Sequence, residues 1–168
     1  MISLYIRYIG LFLFSVLTQV LIFDNIYMIG TVNIFIYVLF ILMLPIETNK
    51  FLVLILAFIL GLNVDIFNST PGLHASATVL MAYVRPFVLN LYSPRDGYES
   101  NKLPGIKAYG LFWFIRYTLT LIVIHHFFLF FLEAFTFSHF FLTLLRILLS
   151  SVSTLLFVIL GYLLFAEK

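Results

Sequence analysis

The sequence contains no cysteine and little charge, since 10% of its residues are charged whereas 64% are hydrophobic. The absence of cysteine excludes disulfide bonds, thiolate metal ligands and cysteine nucleophiles. The scarcity of charge excludes an ordinary soluble domain, in which about one-quarter of the residues are charged. The net charge of +2 is small and dispersed, which argues against a nucleic-acid-binding surface. We therefore expect a chain whose main solvent is lipid.

Sequence motifs of catalysis are also missing. The chain has no nucleotide-binding glycine loop, no G-x-S-x-G elbow and no H-E-x-x-H. His125, His126, Glu133 and His139 could form a metal or proton-relay cluster, because His126 and Glu133 are seven residues apart and share a helix face. Metal sites on one helix usually use closer spacing, so this is the weaker interpretation. We expect no enzyme, no cofactor and no metal.

Six apolar runs approach the roughly 17 to 25 residues with which a helix crosses a bilayer. They lack the alternation of a membrane β-barrel. The first run is not followed by a small-residue cleavage site, so we interpret it as a retained helix. The sequence predicts one all-α transmembrane domain over residues 1–168, with helices at about 4–23, 29–44, 51–67, 73–92, 109–131 and 140–165 and a loop at about 93–108. Because the second run is short, five helices with one re-entrant segment are the alternative.

The positive charges predict the orientation, because Lys and Arg in short loops stay on the cytoplasmic side. With the amino end inside, the loop and terminal positions on the cytoplasmic side include Lys50, Arg95, Lys102, Lys107 and Lys168. The outer loops then contain no Lys or Arg. We expect both termini in the cytoplasm.

Three ionisable residues, Asp65, Glu133 and Arg146, are predicted to lie at one depth near the outer side of the membrane. A charge inside the bilayer costs about 2.5 to 3.5 kcal/mol on insertion scales, so each needs a partner or a wet cavity. One interpretation is a polar outer pocket for a ligand or a partner helix. The other is an internal ion pair of Arg146 with Asp65 or Glu133. We favour the pair, with Asp65 as the partner of Arg146.

The break before the fourth helix predicts a polar corner. Ser69 or Thr70 suits the N-cap of that helix, and Pro71 suits its first turn. The preceding helix ends in polar residues, and lipid would solvate such a corner poorly. The residues that we expect to form this corner and to meet a partner are Asn63, Asp65, Pro71, Gly72 and His74.

The same region resembles a known family. The run Gly61-Leu62-Asn63-Val64-Asp65-Ile66-Phe67, followed by Pro71-Gly72-Leu73-His74-Ala75, is similar to the rod shape-determining protein MreD of bacteria. That family has G-L-x-x-D at the end of one helix, a turn with proline and glycine, and small residues at the start of the next helix. Gly30-Thr31-Val32-Asn33 resembles its other element, with Asn33 matching and Val32 in place of proline. The Ser69-Thr70-Pro71-Gly72 turn departs from the usual spacing.

The resemblance implies a non-enzymatic scaffold in the bacterial inner membrane. Its implied partners are the single-pass protein MreC and, through it, RodA, a class B penicillin-binding transpeptidase and cytoplasmic MreB filaments, with membrane lipid around them and no nucleic acid. It also implies a fold similar to the S component of energy-coupling-factor transporters. The alternative function is therefore a small-molecule-binding membrane transport subunit.

Overall fold

The computed structural model describes residues 2–26, 32–99, 103–135 and 139–166. It is 79% helical, and no strand occurs among the described residues, which confirms the all-α prediction. Two short 3-10 helices, Phe23–Asn25 and Ile36–Val38, accompany the α-helices. In chain order the α-helices are α1 (Ile2–Leu21), α2 (Leu39–Leu42), α3 (Lys50–Asn68), α4 (Leu73–Leu91), α5 (Ile106–Tyr109), α6 (Leu111–Ala134) and α7 (Phe140–Ala166).

The long helices run between two ends of one bundle. At the corner end, where α3 turns into α4, the Asn68 side chain donates a hydrogen bond of 2.9 Å to Asp24, just beyond α1. At the terminal end, Arg7 near the start of α1 donates a hydrogen bond of 2.7 Å to the carbonyl of Phe165 near the end of α7. The first helix therefore begins, and the last helix ends, at the same end of the bundle.

The interior segment, residues 32–44, is not the continuous helix that its hydrophobicity predicts. It has no regular secondary structure over residues 32–35 and then forms a 3-10 helix and the single turn α2. Its side chains are buried from Ile34 to Leu44. The Asn33 N–H donates to the Ser150 hydroxyl at 3.0 Å near the corner end, whereas the Leu44 carbonyl accepts from Arg85 toward the terminal end. The segment thus crosses the middle of the bundle.

Side chains of the neighbouring helices satisfy the irregular backbone of the interior segment. The Phe35 N–H donates to the Thr154 hydroxyl at 3.1 Å, and the Tyr117 hydroxyl donates to the Leu42 carbonyl at 3.1 Å. Irregular backbone at membrane depth is tolerated only where protein encloses it in this way. The segment reaches the opposite end of the bundle without turning back, so it is neither the continuous second helix nor the re-entrant segment that the sequence offers.

Four helices within the described part are long and apolar enough to cross a membrane, and they indicate a membrane protein. They are Ile6–Asn25, Lys50–Asn68, Leu111–Ala134 and Phe140–Phe165. Helix α4 is not among them. It lies between α3 and α6 and carries buried polar side chains, including His74 and Arg85.

The predicted loop after α4 is held against the bundle by aromatic side chains. Tyr98 donates a hydrogen bond of 2.6 Å to the Leu89 carbonyl, and the Trp113 indole donates one of 2.7 Å to the Tyr92 carbonyl. Burial raises the pKa of the Tyr98 phenol to about 12. The short helix α5 begins within the predicted loop 93–108 and ends one residue beyond it, at Tyr109.

Candidate functional site at the corner end

The Asp65 carboxylate caps helix α4 from the last turns of α3. Asp65 is 2% exposed. One of its oxygens accepts from the N–H of His74 and from the Thr70 hydroxyl, both at 2.9 Å, and the other accepts from the N–H of Ala75 at 2.9 Å. These N–H groups have no partner inside their own helix, and the helix dipole is positive there. The carboxylate is thereby stabilised without a cation.

The prediction that Ser69 or Thr70 is the N-cap of α4 is wrong. Gly72 occupies the N-cap position in a left-handed conformation, with φ of 86°, and has no side chain to donate or accept. Ser69 is instead the left-handed C-cap of α3. The capping oxygens come from Asp65, a residue of the preceding helix.

Gly61 allows α3 to approach α4 closely enough for this cap. A Cβ atom at Gly61 would lie 2.6 Å from the Ala75 nitrogen and 2.6 Å from the His74 carbonyl oxygen. Real side chains are not seen at such distances from backbone atoms. Because Gly61 and Asp65 are four residues apart, they share one face of α3. The G-L-x-x-D pattern therefore encodes one joint, a close helix contact followed by a cap.

Arg146 pairs with Glu133, and the predicted Asp65–Arg146 pair is wrong. Nη1 of Arg146 lies 2.9 Å from a Glu133 oxygen. Its Nε and Nη2 donate to the Asn33 side-chain oxygen at 3.2 and 3.1 Å, and its Cζ lies 4.2 Å from the centre of the Phe130 ring. Asp65 is not available to Arg146, because both of its oxygens accept from the start of α4. Glu133, the other partner that the sequence offers, is the one that the structure contains.

A cavity of about 520 Å³ opens at the corner end, where the less favoured of the two sequence interpretations puts a polar pocket. This volume is within the range of small-molecule sites. Apolar side chains, among them Phe23 and Leu129, form part of its wall. Its polar wall includes Asp24, Asn33, Asn68, Thr70, His74, Glu133 and Arg146.

A hydrogen-bonded chain of buried rings leads from the cavity wall into the bundle. The Tyr37 hydroxyl lies 3.0 Å from Nδ1 of His74 and 2.7 Å from Nε2 of His125. Nδ1 of His125 lies 3.4 Å from Nδ1 of His126. His126 in turn lies 2.8 Å from the Ile122 carbonyl through Nδ1 and 3.2 Å from the Thr154 hydroxyl through Nε2. The chain joins the interior segment, α4, α6 and α7.

The Ile122 carbonyl assigns the tautomer of every ring in this chain. A carbonyl only accepts, so Nδ1 of His126 carries its hydrogen. Nδ1 of His125 lies 3.4 Å from this protonated nitrogen, which cannot accept a hydrogen, so we assign the His125 hydrogen to Nε2, toward Tyr37. Tyr37 then donates to Nδ1 of His74, and the His74 hydrogen is on Nε2. Neutral rings satisfy the whole chain.

The suspected histidine cluster is divided by the structure. His125 and His126 belong to the buried chain, whereas Glu133 pairs with Arg146 and His139 is exposed at the start of α7. Among the described residues, no group of three or more His, Cys, Asp or Glu side chains is arranged to hold a metal ion.

The structure brings together only part of the predicted polar corner. Asp65 and His74 are buried side by side. Asn63 instead donates to the Ile59 carbonyl of its own helix at 2.7 Å. Pro71 and Gly72 are exposed in the turn. The corner is therefore a buried joint behind an exposed turn.

A second buried polar group lies toward the terminal end. Arg85 is 2% exposed, and its Nε donates to the Tyr117 hydroxyl at 2.8 Å. Its Nη2 donates to the Leu44 carbonyl and, at 3.4 Å, to the Pro45 carbonyl. The partial negative charge of carbonyls just beyond a helical turn stabilises a cation. A cavity of about 610 Å³ lies beside it, between residues 46–54 and the part of α4 around Pro86.

Sequence reasoning did not single out Tyr37 or Asp24 as site residues. Tyr37 was detectable as a hydroxyl within a buried apolar run, since a buried Tyr usually finds a hydrogen-bond partner. Asp24 directly follows the predicted helix 4–23, and its position alone gives no signal of a site.

Comparisons of the chain with protein families, with curated proteins and with solved structures give no match.

Proposed function

We propose that the protein is a six-pass scaffold of the bacterial inner membrane, similar to MreD, that binds MreC and helps to couple MreB filaments to peptidoglycan synthesis. The observation that carries the proposal is the joint between α3 and α4. Gly61, Asp65 and the small residue Ala75, which carry the resemblance in sequence, are also the residues that build this joint. The residues that carry the resemblance therefore form one structural feature, the joint between α3 and α4.

The path of the chain supports six passes. Helices α1, α3, α4, α6 and α7 and the interior segment each run from one end of the bundle to the other. Lys50 begins α3 at the terminal end, and Arg95 follows α4 there. Because positive residues favour the cytoplasmic side, the terminal end is the cytoplasmic one and both termini face the cytoplasm.

The partner's transmembrane helix is placed against the exposed side of the corner. Phe67, on the last turn of α3, is 60% exposed, and Pro71 is exposed in the turn beside it. The buried Asp65 carboxylate accepts a hydrogen bond from the Thr70 hydroxyl of this turn, which restrains the turn. A rigid turn with apolar neighbours suits contact with a second helix, because little order is lost on binding.

Depletion and co-purification test the scaffold. Depleting the protein in a rod-shaped host should turn elongated cells round. Phe67→Ala should weaken co-purification of MreC without lowering the amount of protein in the membrane. Phe141→Ala, at the same end on α7 and 83% exposed, is the matched control and should leave co-purification intact. Gly72→Leu is less informative, because the φ of 86° would strain any side chain there.

The corner-end cavity favours a second candidate function, a small-molecule-binding transport subunit of the S-component kind. Its volume of about 520 Å³ and its mixed polar and apolar wall suit such a ligand. If depletion leaves cell shape unchanged and abolishes uptake of a vitamin, the scaffold proposal is wrong and this function replaces it.

A further inference from the structure

We propose that the corner-end cavity binds a small zwitterion, with its ammonium group at Asp24 and its anionic oxygens at Arg146 and His74. The inference rests on these walls and on neither of the two functions proposed above. The residues that carry it are described residues that line the cavity.

Asp24 supplies the site for a cation. Its carboxylate is half-buried, and the partners that the described residues give it are two amides, Gln19 at 2.7 Å and Asn68 at 2.9 Å. Unlike the helix start that caps Asp65, two side-chain amides bring no helix dipole to the carboxylate, and a partly desolvated charge is costly without a counter-ion. An ammonium group in the cavity would supply that charge.

Arg146 supplies an anchored cation for the other end of the ligand. The Asn33 side-chain oxygen and the Phe130 ring both contact the guanidinium, and a ligand can bind to Arg146 without displacing either of them. Its counter-ion Glu133 has a side chain that is 41% exposed, so solvent and ligand oxygens compete easily for this pair. An Arg has five N–H donors, and the second hydrogen of Nη1 is not needed by Asn33 or Glu133.

His74 supplies a donor and not an acceptor. The buried chain through Tyr37 and His125 uses Nδ1 of His74 as an acceptor and leaves the hydrogen on Nε2. His74 lines the cavity, and we assign that N–H as the group that it offers to a ligand. The donor favours a carboxylate or phosphate oxygen over an amine.

These walls select the chemical class of the ligand. A simple anion would leave Asp24 uncompensated, and a simple amine would leave Arg146 and His74 without a new acceptor. A molecule with an ammonium and an anionic group satisfies both. A free amino acid and the phosphoethanolamine headgroup of a lipid share this chemistry, and both are small enough for a cavity of about 520 Å³.

Calorimetric titration of the delipidated full chain tests the proposal with soluble probes. The zwitterions are glycerophosphoethanolamine and alanine, and the single-charge probes are glycerophosphoglycerol and ethanolamine. At least one zwitterion should bind about tenfold or more tightly than either single-charge probe, since charged hydrogen bonds are lost in the latter. Tighter binding of glycerophosphoethanolamine identifies a lipid headgroup, and tighter binding of alanine a free amino acid. Equal binding of all four probes, or of none, overturns the proposal.

Variants locate the binding. Asp24→Asn and Arg146→Gln should each weaken zwitterion binding by about tenfold or more. The matched controls are Asp96→Asn and Arg95→Gln, both exposed in the loop at the other end, and they should bind like the unmodified protein. Unchanged affinity in Asp24→Asn would move the site elsewhere and refute it. The comparison of the four probes uses the unmodified protein, so it tests the zwitterion proposal even where a variant fails to fold. Co-purification of MreC tests the scaffold proposal and does not depend on zwitterion binding.

Discussion

Gly61 of α3 faces Ala75 of α4 so closely that a Cβ atom on Gly61 would lie 2.6 Å from the Ala75 nitrogen. One turn further along α3, Asp65 accepts a hydrogen bond of 2.9 Å from that same nitrogen. The steric contact and the cap therefore depend on each other. A change at either residue should loosen the same corner.

Gly61→Ala should lower the free energy of unfolding by about 1 to 3 kcal/mol, because the added methyl group overlaps backbone that cannot move without shifting a helix. The measurement is denaturant-induced unfolding in mixed micelles. Gly10→Ala on α1 is the matched control, since a Cβ there meets nothing within 4 Å. The control should be neutral or slightly stabilising. Equal stability of the two variants would contradict the close contact.

Asp65→Ala should cost about 2 kcal/mol or more, because two N–H groups at the buried start of α4 lose their acceptor. Asp65→Asn, which keeps one acceptor oxygen, should cost less. The same unfolding assay measures both, with the exposed Asp96→Ala as the control. A loss as small in Asp65→Ala as in Asp96→Ala would show that the cap is not important for stability.

Double-mutant cycles should distinguish the partners of Arg146. Coupling between Glu133 and Arg146 should be about 0.5 to 1 kcal/mol, since both side chains are partly exposed and water screens the pair. It should fall as salt is added. Coupling between Asp65 and Arg146 should be near zero, because they share no contact among those described. Strong coupling in the second cycle would restore the Asp65–Arg146 pair.

The regular helices were predictable because their apolar runs have spanning length and clear breaks. The helix predicted at 51–67 is observed at Lys50–Asn68, and the helix predicted at 140–165 is observed at Phe140–Ala166. Within the predicted range 29–44, residues 29–31 lie outside the described residues, and the described residues 32–44 are not one continuous helix, for a physical reason. A segment enclosed on all sides is apolar whether it is helical or irregular, so hydrophobicity cannot distinguish the two.

The candidate site was only partly predictable from charge. The position of each charge along its predicted helix correctly placed Glu133 near Arg146 at the corner end. It also suggested Asp65, because charge and depth do not reveal that a carboxylate can be satisfied by the backbone of the next helix. The ring chain was hidden for a similar reason. His74, Tyr37 and His125 are far apart in sequence, and only the packing of three elements brings them into contact.

Histidine tautomers provide a direct test of the ring chain. In protein labelled with nitrogen-15 in histidine, the spectra should assign the hydrogen to Nε2 in His74 and His125 and to Nδ1 in His126. Tyr37→Phe should release His74 from its single tautomer and cost about 2 kcal/mol, because two buried ring nitrogens lose their partner. Tyr83→Phe on the exposed side of α4 is the control. An unchanged His74 signal in Tyr37→Phe would exclude the assigned direction of the chain.

The orientation of the bundle can be tested with single cysteines, because the native chain contains none and gives no background labelling. Ser69→Cys places a thiol in the exposed turn at the corner end, and Asp96→Cys places one in the exposed loop that follows α4 at the terminal end. If positive residues keep the terminal end in the cytoplasm, a membrane-impermeant thiol reagent should label position 69 in intact spheroplasts. It should label position 96 only after lysis. Labelling of position 96 from outside would reverse the orientation, and it would place the zwitterion cavity on the cytoplasmic side. Labelling of both positions from outside would require an even number of membrane crossings between them. Because α4 alone separates the two residues in the chain, that number would be zero, and α4 would not span the membrane.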